Sequence, residues 1–377
     1  MSSLYIHIPF CKQKCTYCNF YFKTSLKDKN EIIISIQKEL KLRNNYLKNK
    51  TLKTIYFGGG TPSILNKNDI ISILNEIKKY YKLNEKTEIT IECNPDDLSY
   101  EKLLFYYEIG INRLSIGVQT FNDGFLKFMN RSHKSYQSIE SIKMAKEIGF
   151  KNISIDLIFS LPNQTIMQLE KDLIQCFSLK IQHLSIYSLT IEEKTKLSRM
   201  INKNELNELP DDISSKQFKK IMNECKKNNY IQYEISNFGM DGFFSEHNSN
   251  YWMRREYLGI GPSAHSYNGN SRRWNISNNK VYIEKICNNK KYFSEENLNL
   301  SQRHNEYIMT SLRTMWGINL KYFKKEFGLK YYIELKKNID KWIYTKDISI
   351  HDDYVLLTNK GKYISDSICS DLFNIPN

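Results

Sequence analysis

The sequence has no stretch approaching about eighteen consecutive apolar residues, which excludes a membrane-spanning helix. It leaves no room for an export signal, because the strand-like run LYIHIPF (4–10) begins almost at once. We find no internal repeat and no long low-complexity linker. Because neither a membrane-spanning run nor an export signal is evident, the chain is expected to be cytoplasmic. Its 377 residues, 41% of them hydrophobic, suffice for two or three domains or for one large barrel with an appendage.

The formal net charge of +14 has two interpretations. A basic chain can bind nucleic acid or an acidic membrane. Alternatively, the charge is compositional, because the basic residues are spread along the chain in Lys- and Asn-rich stretches typical of solvated surfaces. We favour the second interpretation and expect no nucleic-acid partner. The charge remains compatible with an anionic ligand, such as one that carries propionates.

The spacing of the cysteines does not suggest a set of disulfide bonds, because five of the eight are isolated residues scattered along the chain. In a chain without an export signal, such cysteines are expected to be small buried residues. The other three, Cys11, Cys15 and Cys18, lie within eight residues in the segment IPFCKQKCTYCNF (8–20). A fourth cysteine two places further on would complete a four-thiolate set, but that position is Phe20.

Two kinds of metal site fit three clustered cysteines. Structural zinc needs four ligands in a closed tetrahedron, for which His7 is near in sequence, but the chain has no second CxxC. A [4Fe–4S] cluster also normally takes four thiolates. With three thiolates, one iron stays open to a substrate or a cofactor.

Strand-like and helix-like runs alternate through the first half of the chain. The strand-like runs are 4–10, 53–59, 88–95, 113–120, 152–162 and 183–191. The helix-like runs are 30–48, 67–81, 99–108, 135–148 and 167–178. This alternation predicts βαβ units with a parallel sheet, curved into a partial barrel. Chemistry in such folds lies at the carboxyl ends of the strands, where the cysteines, GGGTP, ECNP, VQT, SLP and TIEE all fall.

The pattern changes after about residue 200. A helix is expected at 212–228, followed by YEISNF, HNSNYW and a glycine-rich turn, LGIGPSAHS. The tail from about 300 is expected to be helical, with a hairpin and a final helix that resemble a winged-helix domain. We therefore divide the chain into a barrel (1–200), a barrel extension (201–295) and a C-terminal domain (296–377).

The motif CxxxCxxC, with Tyr17 just before its last cysteine, resembles the radical S-adenosylmethionine (SAM) superfamily. In that family the amino and carboxylate groups of SAM chelate the fourth iron of the cluster. One electron from the cluster then cleaves SAM to a 5′-deoxyadenosyl radical. The resemblance implies a partial (β/α)6 barrel and a [4Fe–4S] cluster held by Cys11, Cys15 and Cys18.

The same resemblance implies a set of SAM-binding residues. They are Tyr5, Tyr17, Gly59, Gly60, Thr61, Glu92, Gln119, Arg131 and Asp156. The glycine-rich motif would meet the SAM amino group through backbone, and Glu92 would hold the ribose hydroxyls or the amino group. Arg131 would pair with the carboxylate, because its planar fork suits bidentate binding. Gln119 and Asp156 would reach other polar groups of SAM.

Within the superfamily the chain resembles two related groups, the coproporphyrinogen dehydrogenases and the HemW-type haem chaperones. The dehydrogenases carry an extra cysteine where this chain has Phe20, and a longer extension before the motif. The segment HNSNYW (247–252) matches the HNxxYW pattern associated with haem in the chaperones. Its His247 would ligate iron as a neutral imidazole. His265 in PSAHS is a second candidate ligand, although its context also suits a tight turn.

The resemblance thus implies a haem chaperone that carries the cluster and exchangeable SAM and passes haem to an acceptor protein. The acceptor is unidentified, with a respiratory membrane protein as one possibility, and a homodimer is a further possibility. The alternative is an oxygen-independent coproporphyrinogen III dehydrogenase, so that enzymatic activity stays open at this point.

Overall fold

The computed structural model describes residues 2–374, and its largest feature is a twelve-stranded, mostly parallel sheet. Its first six strands are parallel and lie side by side in chain order. They are β1 (Ser2–Ile8), β2 (Leu52–Gly59), β3 (Glu88–Cys93), β4 (Arg113–Gln119), β5 (Asn152–Phe159) and β6 (His183–Ser188). This is the partial (β/α)6 barrel expected from the sequence.

Helices fill the crossovers between these strands. They are α1 (Lys29–Leu42), α2 (Lys67–Tyr80), α3 (Tyr100–Glu108), α4 (Asp123–Phe128), α5 (Ser135–Ile148) and α6 (Ile166–Ser178). The first helix ends six residues earlier than predicted, since the Asn44 side chain donates to the Lys41 carbonyl and caps the last turn. The fifth strand also ends early, because Ser160 has a φ of 60° that a strand cannot continue.

Alternate residues of the six strands face opposite sides of the sheet. On β4, for example, Leu114 and Ile116 join the apolar core against the helices. Arg113 and Ser115 face the other way, and the Ser115 hydroxyl donates to Asp156 on the next strand. The concave interior of the barrel is therefore lined with polar side chains, while the helix-covered face is apolar.

Further strands extend both edges of the sheet. After α7 (Lys196–Asn202) and α8 (Asp211–Lys227), the strands β7 (Ile231–Glu234) and β8 (Asn237–Gly239) continue it beyond β6. On the other edge, β9 pairs in parallel with β1, and three antiparallel strands follow. This edge comprises α9 (Glu246–Trp252), β9 (Tyr257–Ile260), β10 (His265–Tyr267), β11 (Ser271–Asn275), α10 (Asn279–Cys287) and β12 (Phe293–Asn297).

The short helix α9 closes the amino-terminal end of the barrel. The Glu88 carboxylate at the start of β3 accepts hydrogen bonds from the backbone amides of Glu246 and His247. A carboxylate in this position stabilises a helix because it satisfies free N–H groups at the positive end of the helix dipole. Asn250 also donates to Ser3 at the start of β1. The HNSNYW segment is therefore a buried plug beneath the barrel.

The C-terminal region has its own apolar core, around Ile308, Phe323 and Ile339. It consists of α11 (Leu300–Leu312), β13 (Ile318–Asn319), α12 (Leu320–Phe327), α13 (Leu329–Tyr344), β14 (Ile348–His351), β15 (Tyr354–Leu357) and α14 (Ser365–Asp371). The strands form a small sheet in the order β13-β15-β14. The hairpin and final helix agree with the predicted helical, winged-helix-like tail. The domain boundaries at 200 and 295 stay a prediction.

Within residues 2–374, no helix has both the length and the apolar composition that crossing a membrane would need.

Candidate functional site

One cavity of about 580 Å³ lies at the carboxyl ends of the barrel strands. Its volume is within the range of small-molecule sites. Most of the predicted cluster and SAM residues line it. They are Cys11, Cys15, Tyr17, Cys18, Gly59, Gly60, Thr61, Glu92, Gln119, Arg131 and Asp156. Tyr5 and His247 are not in this lining.

Each of the three cysteine sulfurs in the cavity receives at least one hydrogen bond. The Thr61 hydroxyl donates to Cys11 Sγ at 3.3 Å, and Arg131 Nη1 donates to Cys15 Sγ at 3.3 Å. Cys18 is hydrogen bonded by the backbone of Phe20. Burial raises the pKa of Cys11 to about 12 and also raises that of Cys18. Metal binding at these thiols must therefore release protons, because the thiolate is the ligand.

The geometry disfavours a closed zinc site. Within residues 2–374, no three His, Cys, Asp or Glu side chains are grouped as ligands of one metal ion. His7, the nearby candidate for a fourth ligand, interacts through Nε2 with the Tyr21 carbonyl at 3.0 Å and through Nδ1 with the Tyr5 hydroxyl at 3.3 Å. A cluster needs a wider arrangement than a single ion, since each thiolate binds a different iron. Three free thiols along one cavity fit that requirement.

The glycine-rich loop is held tightly against the segment that precedes Cys11. The amide of Gly60 donates to the Ile8 carbonyl at 2.8 Å, and that of Thr61 donates to the Phe10 carbonyl at 2.7 Å. A Cβ atom on Gly60 would lie 2.4 Å from the Phe10 carbonyl oxygen, so no side chain fits there. Gly59 has a φ of +109°, which favours glycine as well. The loop thus fixes the start of the cysteine motif.

Two acidic side chains, Glu92 and Asp156, line the cavity. Tyr56 donates to Glu92 Oε1 at 2.8 Å, and Ser115 donates to Asp156 Oδ1 at 3.2 Å. The pKa of Glu92 is raised to about 8, mainly by burial; the Tyr56 hydrogen bond lowers it and the charge of Asp156 raises it. Burial likewise raises the pKa of Asp156 to about 6. At neutral pH Glu92 is thus mostly protonated and can donate a hydrogen bond as well as accept one.

Arg131 reaches into the cavity from the loop that follows α4. Besides Cys15, its guanidinium contacts the Gly117 carbonyl at 3.0 Å and the Asn94 side chain. Gln119, at the end of β4, has a φ of 67°, an uncommon conformation for a residue with a side chain. Strained residues of this kind cluster at functional sites.

His247 lies below the cavity, in the barrel interior. Its Nδ1 is 2.7 Å from Thr54 Oγ1, and its Nε2 is 2.7 Å from the Tyr251 hydroxyl. The ring stacks on Tyr56 at 4.8 Å between centroids and lies 6.3 Å from the ring of Tyr5. The side chain is 1% exposed, and burial lowers its pKa to about 3. Ligation of haem by His247, which stays a prediction, would require the ring nitrogen that binds iron to give up its hydrogen bond, while the contact of the other nitrogen could remain.

Some cavity residues were not assigned from the sequence. Asn94 and Glu192 line it, and both stand in segments, ECNP and TIEE, whose position at strand ends could have indicated them. Phe20 and Phe22 lie at its rim, and Phe20 is 75% exposed. Exposed apolar surface beside a cavity is typical of a site that binds a ligand or a partner.

Comparison with known proteins identifies the class to which this barrel and cavity belong. Residues 5–174 match the family model described as the Radical SAM superfamily. The solved structure of coproporphyrinogen III oxidase (HemN) from Escherichia coli, a radical SAM enzyme, superposes with a TM-score of 0.86. The match covers 99% of this chain and 90% of that one at 22% identity, which shows a shared fold.

Two curated relatives are more informative, because they align over almost the whole chain. The heme chaperone HemW of Bacillus subtilis is 36% identical over 98% of this chain and 98% of its own length. The heme chaperone HemW of Lactococcus lactis is 33% identical over 97% of this chain and 96% of its own length. The chain belongs to the HemW family of the radical SAM superfamily.

Proposed function

We propose that this protein binds haem as cargo and transfers it to an acceptor protein, and that it carries a [4Fe–4S] cluster with exchangeable SAM. The observation that carries the proposal is full-length similarity to two proteins named heme chaperone HemW. Phe20, which stands where the dehydrogenases have a further cysteine, also favours the chaperone over the enzyme.

Cys11, Cys15 and Cys18 would hold the cluster. The donor set fits, since three free thiols line one cavity and each sulfur already accepts a hydrogen bond. Hydrogen bonds to cluster sulfurs and thiolates are among the means by which proteins tune such centres. When bound, the cluster supplies one electron and an open iron to which SAM binds.

The remaining cavity residues would hold SAM. Arg131 lies beside Cys15, close enough to the cysteines to pair with a carboxylate bound near them. Glu92 would take the ribose hydroxyls or the amino group, and its raised pKa lets it donate a hydrogen bond at neutral pH. Gln119 and Asp156 complete the polar wall of the cavity. Tyr5 would support the site indirectly. Its ring stacks on Tyr56, and the Tyr56 hydroxyl donates to Glu92.

The haem acceptor, a membrane partner and self-association remain predictions from the resemblance. Haem binding is the part that one experiment tests directly. The purified protein is reconstituted anaerobically with iron and sulfide and then titrated with haem, while the Soret band is recorded. A saturable Soret shift supports the chaperone. A protein that contains the cluster but gives no shift contradicts it.

The same reconstituted protein tests the alternative enzyme. Incubation with coproporphyrinogen III, SAM and a reductant under anaerobic conditions should yield no protoporphyrinogen. Formation of protoporphyrinogen above the level of a protein-free control would make the oxidative decarboxylase the better account of this cavity.

A further inference from the structure

The histidines of this protein differ sharply in how accessible they are to a ligand. All seven lie within the described part of the chain. The buried ones are His7, His133, His183, His247 and His304. Only His265 and His351 are exposed. A histidine that binds haem iron must present a free ring nitrogen at the surface or in an open cavity, so the buried residues could serve only after the fold rearranges.

His351 is poorly suited to haem. It stands at a hairpin and is followed directly by Asp352 and Asp353. The propionates of haem are anionic at neutral pH, and two neighbouring carboxylates repel them. His351 nevertheless makes a good control, because it is an exposed histidine like His265.

His265 has the surroundings that His351 lacks. On the antiparallel pair β10–β11 it lies opposite Trp274, and the two rings are stacked at 6.5 Å and 25°. The next pair on the same face is Tyr267 opposite Arg272. Within residues 2–374, neither ring nitrogen of His265 has a hydrogen-bonding partner. One small patch thus combines a free imidazole, a flat apolar ring and a cation.

The patch lies close to the cluster motif. The backbone carbonyl oxygen of His265 lies very close to Gly259. A Cβ atom added to Gly259 would be 2.0 Å from this oxygen. His265 is also near enough to His7 for its charge to lower the pKa of that residue, after the larger effect of burial. His7 in turn contacts the Tyr21 carbonyl, just after Cys18. His265 is therefore near His7, which contacts the carbonyl of the residue three places after Cys18.

We propose that His265 is an axial ligand of haem iron at a surface site in which Trp274 packs against the porphyrin and Arg272 pairs with a propionate. This inference rests on the proposed haem-binding function and names the site for it. Arg272 already donates from Nη2 to Glu306 at 2.9 Å. Its guanidinium carries five N–H donors, so a propionate finds free ones beside that ion pair.

The test is a haem titration of full-length, cluster-reconstituted protein in three forms: wild type, His265→Ala and His351→Ala. Loss of an iron ligand should weaken binding by about tenfold or more and move the Soret maximum in His265→Ala. Free imidazole should restore the wild-type spectrum to that variant, because it replaces the missing ligand. His351→Ala should titrate like wild type.

A second variant separates the ligand from its surroundings. Trp274→Ala keeps His265 and should weaken binding about two- to tenfold without moving the Soret maximum, because only packing against the porphyrin is lost. Wild-type affinity and spectrum in His265→Ala would refute the site while leaving haem binding intact. Absence of any saturable Soret change in wild type would refute the proposed function and this site together.

Discussion

Burial of His247 predicts that this residue destabilises the folded protein in mild acid. The folded pKa is lowered to about 3, mainly by burial and further by the charge of Arg113. An unfolded histidine has a pKa of about 6.5. Between these two values the unfolded chain binds one more proton at this residue than the folded protein does. The contribution of His247 to the free energy of unfolding therefore falls as the pH falls through this range.

The magnitude follows from the two pKa values. One extra proton in the unfolded state gives a limiting slope of about 1.4 kcal/mol per pH unit. Integrated from pH 7 to pH 5, His247 alone removes about 2 kcal/mol from the free energy of unfolding. The variant His247→Gln has no titrating group at this position. Its stability relative to wild type should consequently rise by about 2 kcal/mol over the same interval, whatever the substitution costs at pH 7.

Urea unfolding of the metal-free protein at pH 7 and pH 5, followed by circular dichroism, measures this difference. Tyr251→Phe is the matched control. It removes the hydroxyl that contacts His247 Nε2 but keeps the histidine, so it should lose stability at both pH values and retain the wild-type pH dependence. An equal pH dependence in wild type and His247→Gln would refute the reasoning. It would mean that the His247 ring reaches water, and it would restore this residue as an accessible haem ligand.

Four further kinds of substitution test the cofactor cavity. Gly60→Ala places a Cβ 2.4 Å from the Phe10 carbonyl, so iron and sulfide content after reconstitution should fall sharply while the chain remains folded. Replacing any one of the three motif cysteines by Ala should abolish the cluster absorbance, because three ligands are already the minimum. Phe20→Cys should give no decarboxylase activity, and a gain of activity would contradict the proposed chaperone function. Glu92→Gln should remove a contribution that destabilises wild type as the pH rises from about 5 to 8, because the folded pKa of Glu92 is raised and the folded protein holds its proton more tightly than the unfolded chain.

The sequence predicted the barrel and most of its cavity well, because the signals for both are local. Each strand is a short apolar run, and each ends in residues that break a strand. The carboxyl ends of parallel strands meet on one side of a sheet, so motifs such as GGGTP and ECNP had to converge. The errors are at element ends, where one side chain or one backbone angle decides. Asn44 caps the first helix early, and Ser160 ends the fifth strand.

The position of HNSNYW could not be obtained in this way. Its residue types suit haem, and nothing within the segment indicates that it plugs the barrel. The plug depends on partners far away in the chain, since Thr54 is 193 residues from His247 and Glu88 is 159 residues away. Contacts of that range follow from the closure of the whole sheet and leave no periodic pattern in the sequence.

A row of tyrosine rings links His247 to the strand that carries His265. This row affects how a loss of haem binding in a variant is interpreted. His247 contacts Tyr251 at 4.8 Å between centroids, Tyr251 contacts Tyr257 at 4.4 Å, and Tyr257 lies 6.3 Å from Tyr267. Tyr267 shares a strand face with His265.

A change at His247 can therefore disturb the patch at His265 through packed rings, without any contact between His247 and haem. Reduced affinity in a His247 variant would not identify the iron ligand, because a displaced ring and a lost ligand both weaken binding. The Soret maximum separates the two cases. We expect it to stay in place in His247→Gln and to move in His265→Ala, and only the second variant should respond to free imidazole. The opposite pattern would make HNSNYW the ligand segment and would require the plug to open when haem binds.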